Sequence, residues 1–187
     1  AASTEINEAA FIAAANACDI STSFVTDAGT EVRPLYQCGI ACPLDADPSD
    51  TLDEIVESMA GRWGWAGGKL TLRAGVYRAP VASIDRNWLT TLQSVEIVGQ
   101  TPTADLVNIM RPTFADAAQD YIAAPAAAVT YTAAVAADGR ELPREVELNG
   151  VTRAVHAQHV CGVLMREGRE GLTVSMACNM RALQIEL

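Results

Sequence analysis

The chain has 187 residues, 50% of them hydrophobic, and its 13 basic and 23 acidic residues give a net charge of −10 at pH 7. This length and this hydrophobic share are sufficient for a buried core in one domain or two small ones. Because Lys69 is the only lysine, the sequence has no basic stripe to neutralise phosphates, which argues against nucleic acids and anionic membranes as partners.

We interpret the sequence as a piece of a longer protein. It begins without Met and stops at Leu187 within the alternating apolar residues Leu183, Ile185 and Leu187. Its first ten residues, AASTEINEAA, lack the layout of a signal peptide. No apolar run approaches the roughly 20 residues that span a bilayer, so no membrane insertion is expected.

Residues 1–47 are predicted to form a helix followed by a linker and a strand. Apolar residues recur at helical spacing over residues 4–18, behind a cap at Thr4 or Ser3. Residues 19–32 are rich in Ser, Thr, Asp and Gly, which favour turns, and are predicted to be a loop or linker. Residues 33–42 are compatible with a strand.

Residues 48–98 are predicted to begin with a helix over 48–60. Asp47 followed by Pro48 is typical of an N-cap and a first helical residue. The stripe that follows ends at Gly61 and consists of Leu52, Ile55, Val56 and Met59.

A β-hairpin follows this helix in the stretch WAGGKLTLRAGVYRAP, residues 65–80. Gly67 and Gly68 accept the positive φ angles of a type I′ turn, whose twist matches the flanking strands. The alternation of Val95 and Ile97 indicates a further strand.

Residues 99–187 are predicted to be a β-rich region with one helix at about 152–168. Strand-like pieces occur at LVNIM, AAVTYTAAV and GRELPREVEL, with a turn at Asp138-Gly139. Thr152 can cap a helix whose inner face carries Ala154, Ala157, Cys161 and Leu164, and alternation resumes across Leu172, Val174 and Met176. Strands and three helices without regular βαβ alternation predict an α+β fold.

Zinc binding is one chemistry that the sequence suggests. Thiolates and imidazoles are preferred zinc ligands, and the candidates are Cys38, Cys42, His156, His159 and Cys161. The spacing argues against a site, because Cys38 and Cys42 straddle a predicted strand and the histidines fall on the polar side of a helix. We therefore expect exposed histidines, no metal or other cofactor, and reduced, mostly buried thiols at all five cysteines, which include Cys18 and Cys178.

A Cys-His nucleophilic pair is the enzymatic alternative. Cys161 or Cys178 would attack, with His156 or His159 as the base, but no third orienting group stands out. The competing interpretation is that both thiols pack as small hydrophobic groups. We favour it, and the sequence predicts no catalytic residue.

Acidic, glycine-rich and aromatic clusters have structural explanations. The acids Asp45, Asp47, Asp50, Asp53 and Glu54 lack the spacing of a calcium loop and suit a helix cap and first turn. The glycines Gly61, Gly64, Gly67 and Gly68 lead into a strand, whereas a phosphate loop leads into a helix. Trp63 and Trp65 fall on one face of a strand, which predicts core packing.

Three motifs, taken in chain order, resemble one family. They are Met59-Ala60-Gly61, Trp65-Ala66-Gly67-Gly68-Lys69 and Arg73-Ala74-Gly75-Val76-Tyr77-Arg78-Ala79-Pro80. Together they resemble the tail tip or host-specificity family of long-tailed bacteriophages, similar to protein J of lambda-like phages and its prophage relatives. The resemblance extends over about residues 48–187 through Asp105-Leu106-Val107-Asn108, Thr113-Phe114-Ala115-Asp116, Asp138-Gly139-Arg140, the helix from Thr152 and the strand toward Cys178-Asn179. Ile109-Met110-Arg111-Pro112 departs from the family's small residues, which argues against strand pairing near Pro112.

The resemblance implies a structural hub module at the tail tip, built of helices, antiparallel hairpins and barrel-like subdomains. It implies a role in tail assembly and host attachment, synthesis in the bacterial cytoplasm and location in the virion. The implied partners are other tail-tip and tail-tube proteins, the tape measure protein, and copies of the chain itself as a trimer. No catalytic residue is implied, since the matched motifs build turns and strands.

Two other functions stay open at this point. A tail-associated hydrolase would need Cys161 or Cys178 within hydrogen-bond reach of a histidine beside a cleft. A carbohydrate- or receptor-binding module would need an exposed aromatic surface, for which the candidates are Trp63, Trp65, Tyr77 and Trp88.

Overall fold

A computed structural model of the protein describes residues 5–26, 29–80, 82–90, 95–99, 102, 105–171 and 173–184. Helices and mostly antiparallel strands alternate irregularly along them, and the predicted α+β class is confirmed. The helices are α1 (Glu8–Cys18), α2 (Pro48–Glu57), α3 (Thr132–Asp138) and α4 (Ala154–Arg169). The strands are β1 (Ser21–Thr26), β2 (Gly29–Pro34), β3 (Arg62–Ala66), β4 (Lys69–Arg73), β5 (Glu96–Val98), β6 (Ile109–Asp116), β7 (Ile122–Pro125), β8 (Val129–Thr130), β9 (Pro143–Leu148) and β10 (Thr173–Ser175).

The strand β6 is the centre of the largest sheet. β9 pairs with it in parallel along one edge, while β7 and β8 pair with it antiparallel along the other. α4 packs on β6 through a face that includes the fully buried Val160 and Cys161. Every sheet in the described part of the chain is open, so the expected barrel-like subdomains do not occur there as closed barrels.

Pro112 lies inside β6, where the sequence argued against strand pairing. It is fully buried and stands opposite Val146 of β9. Its carbonyl oxygen accepts a hydrogen bond of 2.8 Å from the N–H of Ala126, in the gap between β7 and β8. In a strand the nitrogen and the carbonyl of one residue point to the same side. The missing N–H of Pro112 therefore faces the gap between β7 and β8, where the hydrogen bonds between strands are interrupted. Pairing continues through Pro112, and the expectation is wrong.

A single cluster of buried side chains joins the three predicted segments, residues 1–47, 48–98 and 99–187. It includes Ala14 of α1, Val56 of α2, Phe114 of β6, Leu148 of β9 and Val160 of α4. Removing a Val, Leu or Phe side chain from water stabilises a fold by about 1.5–3 kcal/mol. The core therefore links α1, α2 and α4 to the central sheet.

A β-hairpin occupies the segment that was predicted to be a linker. β1 and β2 pair from Ser21 with Pro34 to Thr26 with Gly29. The loop predicted over 19–32 is therefore wrong, and the strand predicted over 33–42 is correct only at Arg33 and Pro34, the last two residues of β2. Inward-facing residues alternate along β1 as half-buried Thr22, Phe24 and Thr26, and β-branched and aromatic residues favour strands.

The helix starts differ from the predictions in two of three cases. α1 begins at Glu8 and not at residue 4, because Asn7 is the cap and accepts from the N–H of Ala10 at 3.3 Å. α2 begins at Pro48 as predicted. α4 begins at Ala154 behind Arg153, which makes no side-chain cap, so the predicted cap at Thr152 is wrong.

The tight hairpin is confirmed. β3 and β4 pair around Gly67 and Gly68, whose φ angles are 58° and 77°. The strand predicted in GRELPREVEL is confirmed as β9, and β5 pairs with β10. Leu172 lies outside the described residues.

The predicted strand AAVTYTAAV is correct only at β8. Its second half forms α3, which ends at Gly139 with φ 67°. Alanine has the highest helix propensity of all residues, and it outweighs the strand preference of the neighbouring Val and Thr. None of the described helices is long and apolar enough to cross a membrane.

Candidate functional site

The residues after α2 and after β4 pack against each other at backbone distance. The N–H of Gly75 donates to the carbonyl of Met59 at 2.9 Å, and Ala60 turns the chain with φ 47°. A Cβ on Gly61 would collide with the carbonyl oxygen of Arg73, and one on Gly75 would collide with that of Ala60. We call this contact the glycine joint. It explains why two motifs separated in sequence both contain glycine.

Trp63, on β3, forms a hydrogen bond to α2 close in sequence to the glycine joint. Its indole Nε1–H donates to Oδ1 of Asp53 in α2 at 2.5 Å, and its ring packs, half-buried, against the core. Trp65 lies two residues further on the same face but is 62% exposed. The prediction of core packing therefore applies to Trp63 and is wrong for Trp65.

A buried polar network ties β6 to the ends of α3 and α4. Asn108 is 0% exposed and donates to Oδ2 of Asp138 and to the carbonyl of Arg140, both at 2.9 Å, while its Oδ1 accepts from the N–H of Leu142 at 2.6 Å. The guanidinium of Arg169 binds both carboxylate oxygens of Asp138 at 2.9 and 2.8 Å. The hydrogen bonds from Arg169 and Asn108 hold the pKa of Asp138 below its ordinary value.

Both histidines of α4 lie against aromatic rings. The ring of Tyr36 is centred 5.8 Å from His156 and 5.6 Å from His159, and Phe24 approaches His159 edge-on at 5.9 Å. His156 is 7% exposed, and its Nε2 finds no hydrogen-bond partner among the described residues. The prediction of exposed histidines is wrong, since His156 is buried and His159 half-buried.

Burial controls the protonation of this aromatic cluster. It lowers the pKa of His156 to about 4, with the neighbouring His159 as a smaller cause, and it lowers the pKa of His159 as well. Burial also raises the pKa of Tyr36 to about 12, and the Tyr36 hydroxyl donates to the carbonyl of Gly75 at 2.6 Å. All three rings are therefore neutral at pH 7, and they connect α4 to the glycine joint.

The candidate zinc ligands are divided between surface and core. Cys38 and Cys42 are exposed, Cys161 is buried, and the histidines face Tyr36. Among the described residues, no group of three or more His, Cys, Asp or Glu side chains could hold a metal ion. The expectation of mostly buried thiols is wrong for Cys38 and Cys42.

The candidate Cys-His pairs do not face each other on α4. Cys161 follows His159 by two positions and His156 by five, whereas helix neighbours are three or four apart. Burial raises the pKa of the Cys161 thiol to about 11, which suppresses the nucleophilic thiolate. Cys178 forms an isolated bridge with Leu89 beside the β5–β10 sheet. Cys161 thus packs as a small hydrophobic group.

The acidic residues around α2 have several structural roles. Asp47 caps the helix through the N–H of Ser49 at 2.8 Å, and Asp53 binds Trp63. Burial, together with the charges of Glu54 and Asp53, raises the pKa of Glu57. The capping role predicted for Asp47 is confirmed.

A comparison with known protein families finds a match that covers most of the chain. Residues 47–186 match a family described as "Putative phage tail protein", and this range is well over half of the chain. The chain belongs to this phage tail protein family. A search of curated proteins finds no match.

In this phage tail protein, the matched range begins at the N-cap of α2 and includes the glycine joint and the polar network. Sequence reasoning noticed Asn108 and Asp138 only as parts of separate motifs and did not consider Arg169. No local pattern in the sequence indicates this network, because Asp138 followed by Gly139 is typical of a simple turn. The Trp63–Asp53 bond was also missed, although both residues had been singled out.

Proposed function

We propose that this phage tail protein is a structural hub module at the tip of the tail, which joins neighbouring tail proteins and takes part in host attachment without catalysis of its own. The observation that carries the proposal is the glycine joint. The motifs that resemble the tail tip and host-specificity family build a rigid contact between Gly61, Gly75 and the hairpin β3–β4. A scaffold of this kind suits an assembly role.

The proposed partners are tail-tip and tail-tube proteins, the tape measure protein and two further copies of the chain. Several large apolar side chains support contacts of this kind, because they are exposed and proteins in assemblies cover such groups. They are Val25, Val32, Trp65, Tyr77, Ile97, Tyr121 and Ile122.

Immunogold electron microscopy of virions that carry an epitope tag on this protein tests the proposal. Label is expected at the tail tip only, and a deletion of the gene is expected to give virions without complete tails. Label along the whole tube, or complete infectious virions after deletion, would contradict the proposal. Native mass spectrometry of the full-length protein separates a trimer from other assemblies.

A receptor- or carbohydrate-binding function is a second candidate, favoured by two aromatic side chains. Trp65 is 62% and Tyr77 is 90% exposed, and exposed aromatic rings suit stacking on sugars. Adsorption of virions carrying Trp65→Ala or Tyr77→Ala to host cells tests it. Normal adsorption together with normal assembly would remove this candidate.

A further inference from the structure

The strand β3 has one edge that faces away from its partner. The N–H of Leu70 donates to the carbonyl of Glu5 at 2.7 Å, and its carbonyl accepts from Asn7 at 2.9 Å, so Leu70 turns its backbone away from β3. Trp65 is directly opposite Leu70. In an antiparallel pair, two opposed residues either bond each other or both turn outward. The backbone of Trp65 therefore points away from β4.

The same holds for Trp63, two residues earlier on the strand. Residues 5–7 thus cover the outer edge of β4, whereas β3 pairs with β4 alone in the described part of the chain. The outward N–H and C=O groups of Trp63 and Trp65 form a template for a further strand.

An open groove of about 520 Å³ lies beside this edge. Its walls come from three elements, and they include Asp53 and Glu57 of α2, Trp63 of β3 and Leu164 of α4. Its floor is made partly of Val56 and Ala60, which are buried core residues. The groove thus combines a partly apolar floor with the acidic side chains of α2 and with Trp63 of β3.

The charge of the groove is negative. Asp53 and Glu57 line it, and burial, followed by the charges of Glu54 and Asp53, raises the pKa of Glu57. Its cation, Arg62, is paired with Glu167 at 3.2 Å and has a side chain that is 82% exposed. Opposite charges on two surfaces promote association. A second copy of this chain would add a net charge of −10, which disfavours self-association here.

Trp65, whose ring is exposed, lies two residues beyond the groove-lining Trp63 on β3. An Arg or Lys over the face of a Trp ring gains cation–π attraction, and Trp is enriched among residues that dominate binding energy at interfaces. An aromatic anchor and an acidic groove along one strand edge select the same class of ligand.

We propose that the outer edge of β3 binds an extended, positively charged segment of another tail protein, which adds to β3 as a strand and places its basic side chains against α2 and Trp65. The inference rests on the proposed assembly role for the identity of the partner. Backbone hydrogen bonds supply the affinity of such strand addition, and side-chain pockets supply its specificity.

A labelled peptide tests the groove on the complete 187-residue chain. The probe is a fluorescein-tagged hexapeptide of alternating Arg and Val, and its binding is measured by fluorescence anisotropy. Controls are the hexapeptide of alternating Glu and Val and an Arg-Val peptide that is N-methylated at alternate residues. Binding of the first peptide, with at least a tenfold weaker binding of both controls, is expected, because the acidic peptide is repelled and the methylated peptide cannot complete the ladder.

Variants locate the binding. Trp65→Pro removes an outward N–H that β4 does not use, and D53N with E57Q removes the two acidic charges that line the groove. Both are expected to weaken binding at least tenfold, whereas the matched neutralisation E145Q with E147Q on β9 is expected to leave it within twofold. Amide shifts at Trp63 and Trp65 in NMR spectra of the unaltered chain give a readout that does not depend on the variants.

Two results would overturn the inference. One is that all three peptides bind equally, or that none binds at millimolar concentration, while the NMR amide signals of Trp63 and Trp65 do not shift. The other is a dimer of the chain that Trp65→Pro dissociates, since the edge would then belong to a second copy. Both results concern the groove alone, and the tail-tip location is tested separately by immunogold labelling.

Discussion

The indole of Trp63 donates a hydrogen bond of 2.5 Å to the carboxylate of Asp53, joining β3 to α2. Trp63→Phe keeps most of the apolar contact and removes the donor. We expect the free energy of unfolding to fall by about 1 kcal/mol, the usual net worth of one hydrogen bond, in urea denaturation at pH 7. Trp65→Phe is the matched control and is expected to change it by less than about 0.5 kcal/mol, because Trp65 is an exposed ring on the same strand.

A double-mutant cycle isolates this bond from changes in packing. If Asp53→Ala, which removes the acceptor, costs as much in the Trp63→Phe background as in the unaltered chain, the two side chains are not coupled, and the hydrogen bond does not stabilise the protein.

The glycine joint makes a sharper prediction. Gly75→Ala places a methyl group against the carbonyl of Ala60, and because backbone must move, we expect a loss of about 2–4 kcal/mol of unfolding free energy. Gly64→Ala, in β3, is the control, since a Cβ there meets nothing within 4 Å. It is expected to be neutral or slightly stabilising through the unfolded chain. Equal losses for both variants in thermal denaturation would refute the steric explanation.

A substitution of Asn108 tests whether the buried polar network stabilises the protein. Asn108→Ala removes two donors and the acceptor for the N–H of Leu142 from a position that is fully buried, so the part-buried partners lose these bonds. We expect a loss of about 2–3 kcal/mol. Asn16→Ala, at an exposed position of α1, serves as the control and is expected to be neutral or stabilising, because alanine has the higher helix propensity.

The network also has a crystallographic check. In the Asn108→Ala protein, the Asp138–Arg169 pair is expected to shift or to gain a bridging water, since Asp138 loses a donor. If the Asp138–Arg169 pair and the free energy of unfolding are both unchanged, the hydrogen bonds of Asn108 do not stabilise the protein.

The elements that the sequence predicted correctly are those with strong local signals. Asp47-Pro48 fixed the start of α2, and Gly67-Gly68 fixed the hairpin, because each depends on backbone chemistry within a few residues. The hairpin β1–β2 was missed because its inner face uses Thr22 and Thr26 on either side of Phe24, a pattern that resembles a polar linker.

Long-range contacts account for the other misses in the site. The helical pattern predicted that His156 lies on a polar face, yet that face is covered by Tyr36 from a distant segment. The pairing of Asp138 with Arg169 likewise depends on how α3 and α4 are placed by the sheet. Helical periodicity describes which residues share a face, but it cannot say what packs against that face.

His156 gives the protein a predictable response to acid. Its pKa is lowered from 6.5 to about 4 in the folded protein, so between these values the unfolded chain binds more protons than the folded one. Stability conferred by the neutral ring is therefore complete above pH 6.5 and is lost as the pH falls toward 4. The loss is expected to reach about 3 kcal/mol at pH 4.

Urea denaturation between pH 7 and pH 4 measures this slope. His156→Phe, which retains a buried ring without a titrating nitrogen, is expected to flatten it, and His159→Gln is expected to retain most of it, since His156 stays buried. Glu57 contributes with the opposite sign, because its pKa is raised, but this contribution cancels in the difference between the unaltered chain and each variant. An identical slope for the unaltered chain and His156→Phe would show that His156 is solvated when the protein is folded, and it would remove the tilted Tyr36–His156 ring contact from the account of how α4 is held.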